Sequence, residues 1–179
     1  MLSNGVFCLA ERKIKTMKKE KFYQDLITGK FTSMVKETVK GQTLSSSKEV
    51  FNIIKPLTEQ EQDVEQFWAL FLDAKNNILK ISMMFKGSLT AAAVYPRELI
   101  KKVLSTKAAA VICCHNHPSG NPEPSSQDHE LTLQLLIALK SIGVCFHEHL
   151  IVGNGAYYSM ADHGIMGRLN DKYNILIRG

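Results

Sequence analysis

No run of apolar residues in this sequence approaches the roughly 20 that a membrane-spanning helix needs. Near the start, Arg12, Lys13 and Lys15 follow the brief apolar patch at residues 6–10 instead of preceding it, the reverse of a secretory signal. Cysteine is sparse and poorly arranged for cross-linking: Cys8, Cys113, Cys114 and Cys145 contain no CxxC pair, and two of them are adjacent. That usage argues against a disulfide scaffold. Cys113, Cys114 and Cys145 lie in apolar, strand-like runs and are expected to act as small buried hydrophobes. Only five prolines are present, and Pro118, Pro122 and Pro124 crowd into one short loop. Repeats and low-complexity segments are lacking too. These absences lead us to expect a cytoplasmic globular protein with no membrane partner, with Met17 an alternative to Met1 as the natural start.

What remains is ordinary in bulk: 179 residues, 45% hydrophobic and 22% charged, enough for one domain with a real core plus a short extension. Charge is distributed unevenly. Residues 1–50 hold ten Lys or Arg against five Asp or Glu, whereas the remainder holds twelve of each. We therefore separate a basic, helical N-terminal extension at 1–44 from a charge-balanced body at 45–179. The extension could touch nucleic acid through phosphates; a run such as Lys18-Lys19-Glu20-Lys21 reads equally as a solvated helical face.

Hydrophobic spacing predicts a helical pattern over 17–40 broken at Gly29, a polar linker at 41–47, and a helix over 48–55 that stops before Pro56. Thr58 and Glu61 have capping-box spacing and predict a short acidic helix. Two apolar runs, 67–72 and 78–85, flank a turn at 73–77 and predict a hairpin. Pro96 opens a helix continuing through 98–106. Residues 108–114 predict a strand buried on both faces, followed by a rigid proline-rich loop from His117 to Ser125. A helix carrying Leu131, Leu135 and Leu139 ends at Gly143. Strands at 144–152 and 156–160 meet through Asn154-Gly155. Alternating elements around one mixed sheet predict an α/β or α+β fold.

The chemistry concentrates at the end of the buried strand. His115 and His117 are two apart, so strand alternation sends both imidazoles the same way. The proline-rich loop turns the chain so that a helix starting near Ser125 brings Asp128 back in its first turn. Two histidines and one carboxylate leave a fourth tetrahedral position open, the arrangement of a catalytic zinc site. Each piece has a plainer meaning: HxH as two half-exposed histidines, and Ser125 with Asp128 as a capping box. The conjunction of all of them within fourteen residues favours the metal.

His115-Asn116-His117-Pro118-Ser119-Gly120, continuing through Pro124-Ser125-Ser126-Gln127-Asp128, resembles the JAMM (MPN-type) metalloprotease motif in the form seen in the RadC family. The resemblance extends over about residues 45–164 and includes Glu65-Gln66-Phe67, Leu72-Asp73-Ala74-Lys75-Asn76, Tyr95-Pro96-Arg97-Glu98 and His149-Leu150-Ile151-Val152-Gly153. It implies a curved mixed sheet flanked by helices, with zinc on His115, His117 and Asp128. By position Glu65 matches the glutamate that serves these hydrolases as general acid and base. Glu98, at a helix start, is the rival. Ser125 matches the motif serine, expected to help hold an oxyanion. The implied reaction is hydrolysis of an amide or isopeptide bond, with a peptide or protein substrate. The alternatives are phosphodiester hydrolysis and a DNA-repair-associated, DNA-binding protein in which the metal is structural.

Three features depart from the family pattern. No clear helix-hairpin-helix segment stands ahead of residue 45. Cys113-Cys114 occupies positions expected to be apolar or small, and Cys113 shares the strand parity of His115. Finally, His147-Glu148-His149 forms a second HxH, which competes as a ligand pair or serves behind the site.

Overall fold

A computed structural model describes residues 29–87 and 95–178, with side chains as far as Ile175. The expected helical pattern before Gly29 lies outside the described residues. From there the elements run α1 (Lys30–Val39), α2 (Ser47–Thr58), β1 (Gln66–Leu72), β2 (Ile78–Lys86), α3 (Pro96–Thr106), β3 (Ala110–Asn116), α4 (Ser126–Lys140), β4 (Cys145–Gly153), β5 (Ala156–Ser159) and α5 (Ile165–Arg178). The five strands form one mixed sheet in the order β2-β1-β3-β4-β5. Strands β3 and β4 are parallel and the other neighbours antiparallel. None of the described helices is long and apolar enough to cross a membrane.

Strand alternation divides the core into two. Phe67, Ala69, Phe71, Val111 and Cys113 face one way and pack under Leu99 and Val103 of α3, Leu131, Leu135 and Leu139 of α4, and Met166 of α5. Trp68, Leu70, Ile112 and Cys114 face the other way, onto Val50, Ile54 and Leu57 of α2 and Val39 of α1. With helices on both faces, β1 and β3 are buried at every position, which is why their sequences are nearly continuous apolar runs. His115 has the parity of Cys113 and therefore faces α4. This is the relation that builds the site.

Three local expectations are corrected. Helix α2 does not stop before Pro56 but runs through it to Thr58. A proline this close to the end forfeits one backbone bond, and the buried Leu57 and Thr58 hold the last turn down. Thr58 opens no new helix; its hydroxyl donates back to the Lys55 carbonyl at 3.1 Å and closes α2. Cys145 is exposed at the start of β4, unlike the buried Cys113 and Cys114.

One carboxylate is buried against the second core. Glu148 accepts from the Ser47 hydroxyl (3.1 Å), from the Ser159 hydroxyl and from the Ala161 N–H (3.0 Å). It joins the N-terminus of α2 to β4 and to the turn after β5, with the helix dipole favouring its charge.

Candidate metal centre

The end of β3 delivers His115 fully buried. His117 lies just past the strand, yet its N–H still donates to the Val152 carbonyl of β4 at 2.8 Å, so the alternation persists. The following loop is pressed onto the sheet. Gly120 adopts a positive φ of 81°, and a Cβ on Gly153 would come within 2.5 Å of the Gly120 carbonyl oxygen. The loop also sets His117: Nδ1 lies 2.7 Å from the Asn121 carbonyl oxygen. A carbonyl only accepts, so Nδ1 carries a proton, and in the neutral ring Nε2 is left with its lone pair. Ser125 then caps α4 in a capping box, its Oγ accepting from the Asp128 N–H while Asp128 Oδ2 accepts from the Ser125 N–H at 2.7 Å. The cap fixes where Asp128 points.

These elements converge. His115 Nε2 lies 3.1 Å from Asp128 Oδ1 and His117 Nε2 lies 3.4 Å from Asp128 Oδ2, and the two Nε2 atoms are 2.9 Å apart. Donors about 3.3 Å apart are what ~2.0 Å metal–ligand bonds at tetrahedral angles require. Two neutral imidazoles and one carboxylate form a borderline-soft donor set suited to zinc. The residues fit the ion.

Glu65 arrives from the segment ahead of β1. Its carboxylate and one ring nitrogen from each of His115 and His117 lie within 4.8 Å of one another. Glu98 is placed elsewhere: its carboxylate is paired on the surface of α3 with Lys101 (2.9 Å) and Arg97 (3.4 Å).

The second HxH does not act as a pair. Val111 pairs with Phe146 but Ile112 with Glu148, a bulge that leaves His147 out of register and cancels the alternation on which a shared face depended. His147 Nε2 sits 3.0 Å from Asn76 Oδ1 in a cavity of about 250 Å³ on the α2 side, next to Glu148. His149 instead points towards α4, with Nε2 2.9 Å from His115 Nδ1 and Nδ1 2.6 Å from Thr132 Oγ1. Sequence reasoning missed Thr132 altogether. Its spacing of four from Asp128 places it one turn along the same helix face, and that was the available signal.

The electrostatics follow from the packing. Burial opposes ionisation of Asp128, but the His115 and His117 rings and the Ser125 hydroxyl hold its carboxyl far below the usual carboxylate range. The hydrogen bond to Asp128 raises His117. Burial, then the neighbouring His115, pushes His149 well down, so it is neutral. Burial also raises the Cys113 thiol, which fills space in the core and carries no charge.

A mixed sheet that presents two imidazoles at a strand end to a carboxylate in the first turn of the facing helix, with a glutamate ahead of the first strand, defines a JAB-type domain. The sequence model described as RadC-like JAB domain matches residues 44–165, and the chain belongs to this family. Similar proteins include a UPF0758 protein of Methanosarcina mazei, 42% identical over 123 residues that make up 69% of this chain and 53% of that protein. Another, from a Janthinobacterium species, is 49% identical over 100 residues, 56% and 45% of the two chains. A third, from Pseudomonas fluorescens, is 50% identical over 102 residues, 57% and 46%. The chain thus spans about half the length of the curated relatives it matches, and their names state no activity.

Proposed function

We propose that this domain is a zinc-dependent hydrolase that cuts an amide or isopeptide bond in a peptide or protein. The observation that carries the reading is the Glu65 carboxylate beside the paired ring nitrogens of His115 and His117, with Asp128 closing the set from the opposite element. His115, His117 and Asp128 would hold the ion. Bound zinc supplies Lewis acidity, polarising a carbonyl and acidifying water at neutral pH.

The protein's own groups do the rest. Glu65 accepts a proton from the attacking water and returns it to the leaving amine nitrogen, a role worth about 10²–10⁴ in rate. The Ser125 hydroxyl, which donates to Asp128 Oδ2 at 2.6 Å, would have to turn from that carboxylate to donate to an oxyanion. Beside His117 opens a groove of about 740 Å³ lined by Gln62, Asn121, Asn154, Ser119 and the backbone of Gly120 and Gly153. Amides, hydroxyls and exposed main chain suit an extended peptide, whose own backbone donors and acceptors need partners. With one carboxylate on the metal, the site is poorer than the carboxylate-rich centres of two-metal nucleases.

The test is zinc-loaded protein on a panel of peptide- and isopeptide-linked fluorogenic substrates. Glu65→Gln is expected to lose at least about 10²-fold in turnover while zinc affinity, read by chelator competition, stays within threefold. Unchanged turnover would remove Glu65 from the reaction, and no cleavage of any peptide linkage by the wild-type protein would overturn the substrate class.

A further inference from the structure

We propose that Thr132 and His149 fix the tautomer of His115, and so make its Nε2 a metal donor, through a closed ring of polar contacts, three of them hydrogen bonds, that begins and ends on Asp128. The proposal rests on the metal-site reading above and adds two positioning residues to it. The ring runs from the Asp128 carboxylate to His115 Nε2 (3.1 Å), from His115 Nδ1 to His149 Nε2 (2.9 Å), from His149 Nδ1 to Thr132 Oγ1 (2.6 Å), and from Thr132 Oγ1 to the Asp128 main-chain carbonyl (2.5 Å).

Counting protons forces the order. The Asp128 carbonyl can only accept, and at 2.5 Å it takes the one proton of the Thr132 hydroxyl in preference to the weaker acceptor Met160 Sδ at 3.4 Å. With that proton used, Thr132 can only accept from His149, which places the His149 proton on Nδ1. His149 Nε2 is then a lone pair, and His115 must meet it with Nδ1–H. A neutral imidazole has one N–H, so His115 Nε2 is bare and aimed at Asp128 and His117. His115, Thr132 and His149 are all fully buried, which keeps bulk solvent from exchanging these roles. The Phe67 and His149 rings pack edge to face with centroids 5.4 Å apart, a contact that restricts rotation of the imidazole.

The two ligand histidines are thus prepared by different devices: His117 by a loop carbonyl, His115 by an imidazole that a threonine on α4 has itself oriented. Because that threonine is bonded to the main chain of Asp128, strand β4 and helix α4 are tied into the same ring as the ligands. Partners of this kind commonly alter metal affinity 10–100-fold.

The experiment measures zinc affinity of the full chain by chelator competition at constant pH. Thr132→Val, nearly isosteric but without a hydroxyl, is expected to weaken zinc binding about tenfold, and Thr132→Ser to restore it to within threefold. His149→Phe is expected to weaken it 10–100-fold. His115→Ala is the control for the site itself. If His115→Ala loses zinc while Thr132→Val binds as the wild type does, the ring is overturned and the metal site stands; if His115→Ala binds normally, both fall. Nitrogen NMR of the wild-type histidines reads the tautomers without any variant. His149 protonated on Nδ1 is the expected result, and protonation on Nε2 overturns the proposal.

Discussion

Asn116 brackets Glu65: its side-chain oxygen accepts from the Gln66 N–H at 2.8 Å, and its amide donates to the Val64 carbonyl at 3.1 Å. The residue between the two candidate ligand histidines points to the opposite face of β3, where it grips the chain on both sides of the candidate general base. The HxH spacing therefore does two jobs, one on each face of the strand.

Asn116→Ala leaves one backbone donor and one acceptor near Glu65 without their partner, at about 1–3 kcal/mol each if they stay buried. Urea denaturation should show that loss. Zinc affinity should change less than threefold, because no ligand is touched, whereas hydrolysis should fall towards the level of Glu65→Gln. A collapse of zinc binding as large as that of His117→Ala would show that Asn116 supports the ligands and not the base.

Gly153 and Gly167 should respond in opposite ways to the same added methyl. At Gly153 a Cβ would meet the carbonyl oxygen of Gly120 at 2.5 Å and the Pro122 nitrogen at 2.8 Å, all backbone that cannot rotate aside. Gly153→Ala should cost about 1–3 kcal/mol by overpacking and weaken zinc binding, since the displaced loop carries the carbonyl that orients His117. Gly167 is exposed inside α5 with nothing within 4 Å of its Cβ position, so Gly167→Ala should gain about 0.4–1 kcal/mol. Thermal melts of the two variants decide the matter, and equal shifts would refute the close approach of loop and strand.

How far the sequence could be read depended on what kind of interaction fixed each part. Strands β1 and β3, the hairpin between 72 and 78 and the turn at Asn154-Gly155 were legible because burial and turn chemistry act over a few residues. The convergence of His115, His117 and Asp128 was legible because strand parity and a helix cap both have fixed geometry. The partners that lie across the sheet were not. Asn116 grips residue 66 from fifty positions away, and the bulge at His147, which separates the second pair of histidines, has no local signature. Pro56 misled because tertiary burial of Leu57 outweighed a local rule.

Glu148 gives the fold a pH dependence with a definite sign. Burial raises its carboxyl above the ordinary value, against the hydrogen bonds from Ser159, Ala161 and Ser47. The native chain therefore keeps this proton at pH values where the unfolded chain, with a carboxyl near 4.3, has lost it. The native state binds more protons across that window, so stability falls as pH rises through it and the cost of ionisation is fully present above the raised value. Glu148→Gln does not titrate. Its stability relative to the wild type should rise as the pH is raised from about 4 and then level off. A series of urea titrations checks this, and a difference that is flat or reversed in sign would mean that the carboxylate is not penalised by its surroundings.

Metal removal should weaken the fold without dissolving it. Both cores are complete without the ion, the described elements burying Trp68, Phe67, Phe71 and Leu135 to 1% exposure or less. The chain is thus unlike small zinc modules that unfold when stripped. Binding to the native state alone adds RT ln(1 + [L]/Kd), about 2.7 kcal/mol when free zinc is a hundredfold above Kd. Chelation should lower the melting temperature by the corresponding amount, with a transition that stays cooperative and far-UV circular dichroism that is retained. In His115→Ala, added zinc should no longer shift the melt, because the remaining donors cannot enclose the ion. If zinc shifts that variant as much as the wild type, the ion is stabilising the chain from somewhere other than the end of β3.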